Sequence, residues 1–308
     1  MNKLIVILGP TASGKTALSI KLAKKFNGEI VSADSRQIYK GMDIGTAKPS
    51  PQAKPRRMAG PSCIVEGVAH WLIDIKNPNE LYSVAEYKEN AIKIIKDIHK
   101  RGKTPIMAGG TGLYIKSVVE NLDIPQVEAD PILRQKIEKE IEKKGLNFVF
   151  EKLIKLDPEA AYIVDPKNPR RVIRALEITL LTKKPFSSQR KSGKPLFDVL
   201  EIGILTQKEK LKERINFRID KMVKEGLVDE VKNLIKKYGK AQIAFDAIGY
   251  REIIDYLNKK ITLEQALENM KINTWHYAKR QMTWFNADKK VNWIKNYKEA
   301  EKLIKKFL

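Results

Sequence analysis

The chain has 308 residues, of which 43% are hydrophobic and 31% charged, a composition typical of a folded globular protein and not of a disordered one. Lysine and arginine total 59 against 37 acidic residues, which gives a formal net charge of +22. The longest apolar run, residues 4–8, is too short for a membrane span or a secretory signal, so we expect a cytoplasmic protein with no membrane partner. Cys63 is the single cysteine, which excludes an intramolecular disulfide and a cysteine-based zinc cluster.

The first predicted element is a strand, residues 4–8, which leads directly into a glycine-rich turn and then a helix over residues 17–26. The turn matches the pattern G-x-x-x-x-G-K-[ST] in full. Its residues are Gly9, Pro10, Thr11, Ala12, Ser13, Gly14, Lys15 and Thr16. Backbone N–H groups at a helix N-terminus and the Lys15 ammonium attract phosphate oxygens, while Thr16 offers a hydroxyl to Mg²⁺. The motif therefore predicts a phosphate site with a magnesium ion.

The second strand, residues 29–33, ends at Asp34. Because the carboxyl ends of parallel strands line one crevice, Asp34 should lie close to the phosphate loop. A carboxylate there can bind magnesium, take a proton from a nucleophile, or simply brace its own turn. A third strand, residues 105–108, leads into a second glycine-rich turn over residues 109–114, in which Thr111 is the polar side chain among three glycines.

The chain changes character near residue 129. Asp130 and Pro131 fit an N-cap and first helical turn, and further helical patterns follow without a strand pattern among them. We predict an α/β fold: a P-loop NTPase-like core with a parallel sheet, formed by residues 1–125 and 198–308. A helical insertion domain over residues 126–197 interrupts this core.

A fourth strand is predicted over residues 199–205, and a helix over residues 208–225 follows it. Arg214 and Arg218 lie one turn apart on that helix, so both can point the same way. A last long helix begins with a capping box at residue 262 and reaches about residue 285. The stretch of residues 48–67 is rich in proline and glycine and is predicted to be a loop.

The excess of basic residues has two explanations that charge alone does not separate. A polyanionic partner such as nucleic acid would use it, because each neutralised phosphate releases condensed counterions. A lysine-rich composition can also simply solvate the surface.

Eight segments in chain order resemble the tRNA dimethylallyltransferase family, also called the tRNA isopentenyltransferase family, and the resemblance covers nearly the whole chain. Beyond the phosphate loop no single segment is decisive, but their order is highly specific. The segments are residues 9–16, 34–39, 42–49, 72–75, 109–114, 169–177, 248–251 and 278–285.

The resemblance implies that the loop holds the diphosphate of dimethylallyl diphosphate with Mg²⁺, and not ATP. The prenyl group would pass to the exocyclic amine of the adenine just 3′ of the anticodon, in the anticodon stem-loop of tRNA. Asp34 would be the general base, and Thr111, Lys15 and Arg218 would act on the diphosphate. We expect the enzyme to work as a monomer. The positions where the family touches tRNA correspond to Asp34, Ser35, Arg36, Gln37, Thr111, Arg134, Arg170, Arg171, Val172, Ile173, Arg174, Asp246, Gly249, Tyr250, Arg251, Lys279, Arg280, Gln281 and Trp284.

Two departures from the family pattern stand out. The family usually has two histidines before Leu-Ile-Asp-Ile, whereas this chain has His70 and Trp71. The loop before them, residues 50–68, is longer and more basic than usual. Both leave the predicted chemistry unchanged, and we interpret His70, His99 and His276 as structural.

Two other enzyme classes and one binding class compete with this interpretation. A P-loop nucleotide kinase shares the loop and the sheet but needs a further carboxylate after an apolar strand, and the only such strand ends at Asp34. An adenylate isopentenyltransferase uses the same prenyl chemistry on a free nucleotide, without need of the helical insertion or the charge of +22. A non-catalytic tRNA-binding protein has no use for Lys15, Thr16 and Asp34 together.

Overall fold

The computed structural model describes residues 1–49, 57–58, 60–125, 127, 130–189 and 192–308. The chain divides into two compact units. The first comprises Met1–Val119 and Leu196–Leu308, and the second comprises Glu120–Pro195. None of the described helices is long and apolar enough to cross a membrane.

An eight-stranded sheet, counted over the described residues, forms the centre of the first unit. Across the sheet the strands lie in the order β3-β4-β5-β2-β6-β1-β7-β8. Their bounds are β1 Asn2–Leu8, β2 Gly28–Ala33, β3 Arg57–Met58, β4 Gly60–Val65, β5 Val68–Trp71, β6 Thr104–Gly109, β7 Phe197–Ile204 and β8 Asn292–Ile294. From β5 across to β8, each strand pairs in parallel with its neighbour. At the other end of the sheet, β4 pairs antiparallel with both β3 and β5.

Helices cover both faces of the sheet. In chain order the helices are α1 Lys15–Lys25, α2 Val84–Lys100, α3 Gly112–Val119, α4 Pro131–Lys144, α5 Leu146–Leu156, α6 Ala160–Ile163, α7 Pro169–Thr182, α8 Lys208–Lys224, α9 Leu227–Tyr238, α10 Tyr250–Leu257, α11 Leu263–Asn286 and α12 Tyr297–Phe307. The central strand β1 is buried from Leu4 onward, and its alternate side chains enter different apolar clusters: Leu4 and Val6 pack with α2, Ile5 and Ile7 with α1 and α12. Burial on both faces explains its continuous apolar sequence.

The predicted loop over residues 48–67 is wrong in part, because Gly60–Val65 form strand β4. Cys63 and Val65 are buried and pair with β5, and the two strands are joined by Glu66 and Gly67, whose φ values of 49° and 80° are those of a tight hairpin turn. Proline and glycine concealed the strand because both residues are more typical of turns and loops than of strands. The rest of the predicted loop, residues 50–56 and 59, lies outside the described residues.

The second unit is a helical assembly of α4–α7 around its own core. Val149, Leu153, Val172 and Leu176 are fully buried in it. Asp130 accepts hydrogen bonds from the N–H groups of residues 132 and 133 and so caps α4, as the sequence predicts.

Candidate functional site

The phosphate loop lies at the carboxyl end of β1. Gly14, the N-cap of α1, has φ 96°, a left-handed conformation that favours glycine, and no side chain caps the helix there. The first backbone N–H groups of α1 therefore remain available to an anion, in the field of the positive end of the helix. The local sequence predicts this cradle.

Three cationic side chains face the loop. Lys15 Nζ donates to the carbonyl of Pro10 at 2.7 Å. From α8, Arg218 Nη1 donates to Thr11 Oγ1 at 3.2 Å and Arg214 Nη1 to the carbonyl of Ser13 at 3.4 Å. The two arginines reach the same loop because they are one helical turn apart, as predicted.

Burial in this site shifts the pKa of two cationic groups. Burial lowers the pKa of Lys15 to about 7; Asp34 opposes the shift and the Arg218 charge adds to it. Burial likewise lowers the pKa of Arg218, against the attraction of Asp34. An anion bound here would offset the cost of burying Lys15 and Arg218, because it would place further negative charge beside both cations.

Asp34 follows β2 and uses one of its carboxylate oxygens to brace its own turn. Oδ1 accepts from the N–H groups of Arg36 at 2.9 Å and Gln37 at 3.4 Å. Among the described residues no hydrogen bond reaches Oδ2. The bracing role and a chemical role therefore coexist: one oxygen fixes the side chain, and the other is left for a ligand.

The second glycine-rich turn meets the Asp34 turn directly. Thr111 Oγ1 accepts from the N–H of Ser35 at 3.0 Å, and the N–H of Thr111 donates to the carbonyl of Ala33 at 3.0 Å. Tyr277 of α11 lies near Thr111, and burial raises the pKa of this phenol to about 12. Thr111 thus orders the backbone beside Asp34.

Two cavities meet at these residues. The loop cavity, of about 290 Å³, is lined by Lys15, Thr16 and neighbouring residues of the phosphate loop. The α11 cavity, of about 350 Å³, is lined on one side by Tyr277 and other residues of α11. The residues that line both cavities are Thr11, Asp34, Thr46, Ala47 and Arg218. Asp34 therefore stands at the boundary between a phosphate site and a second pocket.

Several residues predicted to touch tRNA lie at or near the α11 cavity. Those that line it are Asp34, Ser35, Arg36, Asp246, Arg251 and Arg280. Arg36 also donates to the carbonyls of Ile243 and Ala244, which ties the Asp34 turn to the segment before α10. Gln37 lines the loop cavity instead. Lys279 is exposed on α11, and Trp284 is 41% exposed there.

Five members of the predicted tRNA set are buried and present no side chain at the surface. Val172 and Ile173 pack in the core of the second unit, because a contiguous motif on a helix divides between its inner and outer faces. Tyr250 is fully buried, with its hydroxyl donating to Glu230 Oε1 at 2.6 Å. Gln281 is also buried, between the two glycine-rich turns. Gly249 is buried as well and caps α10.

The second unit carries four arginines of the predicted tRNA set, two of them exposed and two paired with a buried carboxylate. Arg170 and Arg171 are exposed at the start of α7. Arg134 and Arg174 each donate to Oε2 of Glu177, at 2.8 and 2.7 Å. Burial alone raises the pKa of Glu177, but these two hydrogen bonds bring it below its ordinary value. The buried carboxylate thus holds two arginines in fixed directions, each with about a third of its side chain exposed.

Trp71, which stands where the family has a second histidine, has a structural role. Its Nε1 donates to the buried carboxylate of Glu29 at 2.8 Å, which Arg101 and Lys103 also contact. Burial raises the pKa of Glu29, yet the three donors together lower it to about 2. His70 Nδ1 lies 3.0 Å from the carbonyl of Val68, and burial lowers its pKa, so its ring is neutral in the wall of the loop cavity.

Sequence reasoning missed the support that α9 gives to the site. Glu230 accepts from the N–H groups of Asp43, Ile44 and Gly45, at 2.9, 2.7 and 3.1 Å. This clamp fixes the segment that leads to Thr46 and Ala47, which line both cavities. No local signal marks Glu230, because its partners lie 185–187 residues away in the sequence.

Among the described residues, no group of three or more histidine, cysteine, aspartate and glutamate side chains could hold a metal ion by itself. Thr16 and Asp34 nevertheless line the same cavity as the phosphate loop. These are hard oxygen donors, and Mg²⁺ characteristically takes one or two protein oxygens, several waters and the oxygens of a phosphorylated substrate. The donor set fits magnesium that arrives with a diphosphate.

Comparison with known proteins identifies the family of the chain. The family model described as IPP transferase matches residues 37–288, and that described as isopentenyl transferase matches residues 2–58. The tRNA dimethylallyltransferase of Acetivibrio thermocellus is 46% identical over 311 residues, which cover 99% of this chain and 96% of that protein.

Solved structures give the same result for the fold. The full-length tRNA isopentenylpyrophosphate transferase from Bacillus halodurans superposes with a TM-score of 0.71 at 40% identity, covering 100% of this chain and 95% of that one. A eukaryotic dimethylallyltransferase acting on tRNA gives 0.73 at 32% identity, covering 92% and 70%. These neighbours confirm the predicted P-loop-like α/β fold. The chain belongs to the IPP transferase family.

Proposed function

We propose that this protein is a tRNA dimethylallyltransferase. It transfers the dimethylallyl group of dimethylallyl diphosphate to the exocyclic amine of the adenine 3′-adjacent to the anticodon and releases diphosphate. The single observation that carries the proposal is the meeting of two cavities at Asp34: the phosphate-loop cavity on one side, and the α11 cavity on the other.

The donor occupies the loop cavity in this proposal. Free N–H groups at the start of α1, Lys15 and Arg218 surround the diphosphate. When the allylic carbon–oxygen bond breaks, negative charge grows on the leaving diphosphate, and cations already in place lower the barrier. The loop cavity is lined mainly by small and polar residues, which suits a diphosphate better than a nucleobase.

Magnesium bound with the donor would be held by Thr16, with the diphosphate as its main ligand, and Asp34 lies in the same cavity. The ion would supply further positive charge to the diphosphate oxygens. The chain's own cations do the remaining neutralisation, and the first turn of α1 fixes where the diphosphate lies.

The acceptor adenine occupies the α11 cavity. The lone pair of its exocyclic amine attacks C1 of the dimethylallyl group as the C1–O bond breaks, and the bonding pair leaves with the diphosphate. The amine proton passes to Asp34, whose Oδ1 is held by the turn so that Oδ2 can accept it. The adenine must leave its stack to reach this point, at a cost of a few kcal/mol that protein contacts repay.

Recognition of the tRNA falls to exposed basic residues of both units. Arg280 lines the α11 cavity and Lys279 is exposed beside it, while the second unit presents Arg170 and Arg171. The overall charge of +22 supports a polyanionic partner.

A three-way incubation tests the proposal. The protein is supplied with Mg²⁺ and radiolabelled dimethylallyl diphosphate, together with unmodified tRNA, the same tRNA carrying guanine at the target position, or AMP. We expect label only in the first tRNA. Transfer to AMP would identify an adenylate isopentenyltransferase, and tRNA binding without transfer would leave a binding protein. If no acceptor is labelled and the protein hydrolyses ATP in a separate incubation, it has a nucleotide-hydrolysing or kinase activity.

A further inference from the structure

Gln281 connects the two glycine-rich turns through its side-chain amide. Oε1 accepts from the N–H of Thr11 at 2.8 Å, and Nε2 donates to the carbonyl of Gly110 at 2.8 Å. The side chain is only 6% exposed. The contacts span 270 and 171 residues of sequence, so α11 adds a distant third element to two turns that follow the paired strands β1 and β6.

The two partners require an amide at this position. The backbone N–H of Thr11 is a donor and the backbone carbonyl of Gly110 is an acceptor. A carboxamide carries one acceptor and one donor group and so satisfies both at once without a charge. The space is also matched to it: a Cβ at Gly110 would overlap Nε2 of Gln281. An apolar residue here would leave a buried N–H and a buried carbonyl unpaired, and an ionised glutamate would set a charge against the Gly110 carbonyl.

Both ends of this bridge lead to groups of the proposed reaction. Thr11 lies in the phosphate loop and is held from the other side by Arg218. Gly110 precedes Thr111, whose hydroxyl holds the N–H of Ser35 next to Asp34. The bridge therefore sets the spacing between the diphosphate loop and the carboxylate.

We propose that Gln281 is a positioning residue for prenyl transfer: it holds the phosphate loop and the Asp34 turn in register, and it does not bind tRNA. The inference rests on the proposed function for its kinetic part and on geometry alone for its structural part. Because reacting groups displaced by about 1 Å lose about 100-fold in rate, the effect of removing the bridge should appear in the transfer step.

The structural part is tested by hydrogen exchange on the full-length protein without substrates. In Gln281→Met, which keeps the length of the side chain but neither hydrogen bond, the amide of Thr11 should exchange faster while that of the distant helix α12 does not change. The matched control is Thr283→Val on the exposed side of α11. Unchanged exchange at Thr11 in Gln281→Met would overturn the bridge, whatever the protein's activity.

The kinetic part uses single-turnover transfer at saturating tRNA and donor. We expect Gln281→Met to slow transfer by about 10- to 100-fold with tRNA affinity unchanged. Gln281→Glu should be slow at pH 8 and recover relative to the wild type as the pH falls toward 6, because the protonated carboxyl can both accept from Thr11 and donate to Gly110. A variant that is only less stable would not recover its transfer rate relative to the wild type at the lower pH.

Three results would count against the inference. They are a wild-type rate for Gln281→Met, a rate for Gln281→Glu that does not recover at low pH, and a loss confined to tRNA affinity. The last would make Gln281 a tRNA contact. If the wild type itself transfers no prenyl group to tRNA, the proposed function fails, and the exchange experiment still decides the bridge.

Discussion

The affinity for the donor should depend on pH through Lys15. Burial lowers the pKa of its ammonium to about 7 in the protein without substrate, so about half of the molecules lack this charge at neutral pH. A bound diphosphate sets negative charge against the ammonium and raises that pKa. The affinity is therefore complete below pH 7 and is lost as the pH rises above 7.

The size of the loss follows from the same value. With a pKa of about 7 without donor, the charged fraction of the free protein falls from about one half at pH 7 to about one hundredth at pH 9, while the bound diphosphate keeps the ammonium charged over this interval. The dissociation constant should rise about 50-fold, or about 2.3 kcal/mol. A terminal phosphate loses its last proton near pH 6, so the donor itself changes little over this interval.

Calorimetric titration with dimethylallyl thiolodiphosphate, an unreactive donor analogue, at constant ionic strength measures this effect. Lys15→Arg is the matched control, because a guanidinium stays charged throughout and its affinity should not vary. A wild-type affinity that is constant between pH 7 and 9 would refute the reasoning. The same decline in both proteins would assign the titration to another group.

Two further predictions concern tRNA binding and stability. Replacing Arg170, Arg171 and Arg280 with alanine should weaken tRNA binding and reduce the log–log salt slope by about one for each lost phosphate contact, in titrations at several salt concentrations. The control replaces the exposed α12 residues Lys298, Lys302 and Lys306. Equal losses in both triple variants would favour a merely solvating surface. Tyr250→Phe removes the hydrogen bond to Glu230 and should lower the free energy of unfolding by about 1–3 kcal/mol in thermal denaturation, and an unchanged melting temperature would contradict that role.

Local patterns predicted the parts of the fold that local physics determines. The strand–turn–helix of the phosphate loop, the four long strands and the cap of α4 at Asp130 follow from runs of neighbouring residues. Strands β3, β4, β5 and β8 did not, because β3, β5 and β8 have only two to four residues and β4 contains proline at position 61.

The site was predictable in its motifs but not in the direction of each side chain. Residues 170–174 form one motif, yet helical periodicity places Val172 and Ile173 in the core and Arg170 and Arg171 outside. Gln281 and Tyr250 lie in motifs too, and their partners come from distant elements that no local pattern identifies. The need for glycine at position 45 also comes from a distant residue, because a Cβ there would lie 2.5 Å from the ring of Tyr250.

The central claim is that Asp34, between the two cavities, takes the proton of the acceptor amine. Single-turnover transfer by Asp34→Asn, with donor and tRNA both saturating, tests it most directly, because asparagine keeps the size of the side chain and the hydrogen bond to the N–H of Arg36. We expect the rate to fall by about two to four orders of magnitude while tRNA affinity changes little. A rate close to that of the wild type would show that another group accepts the proton.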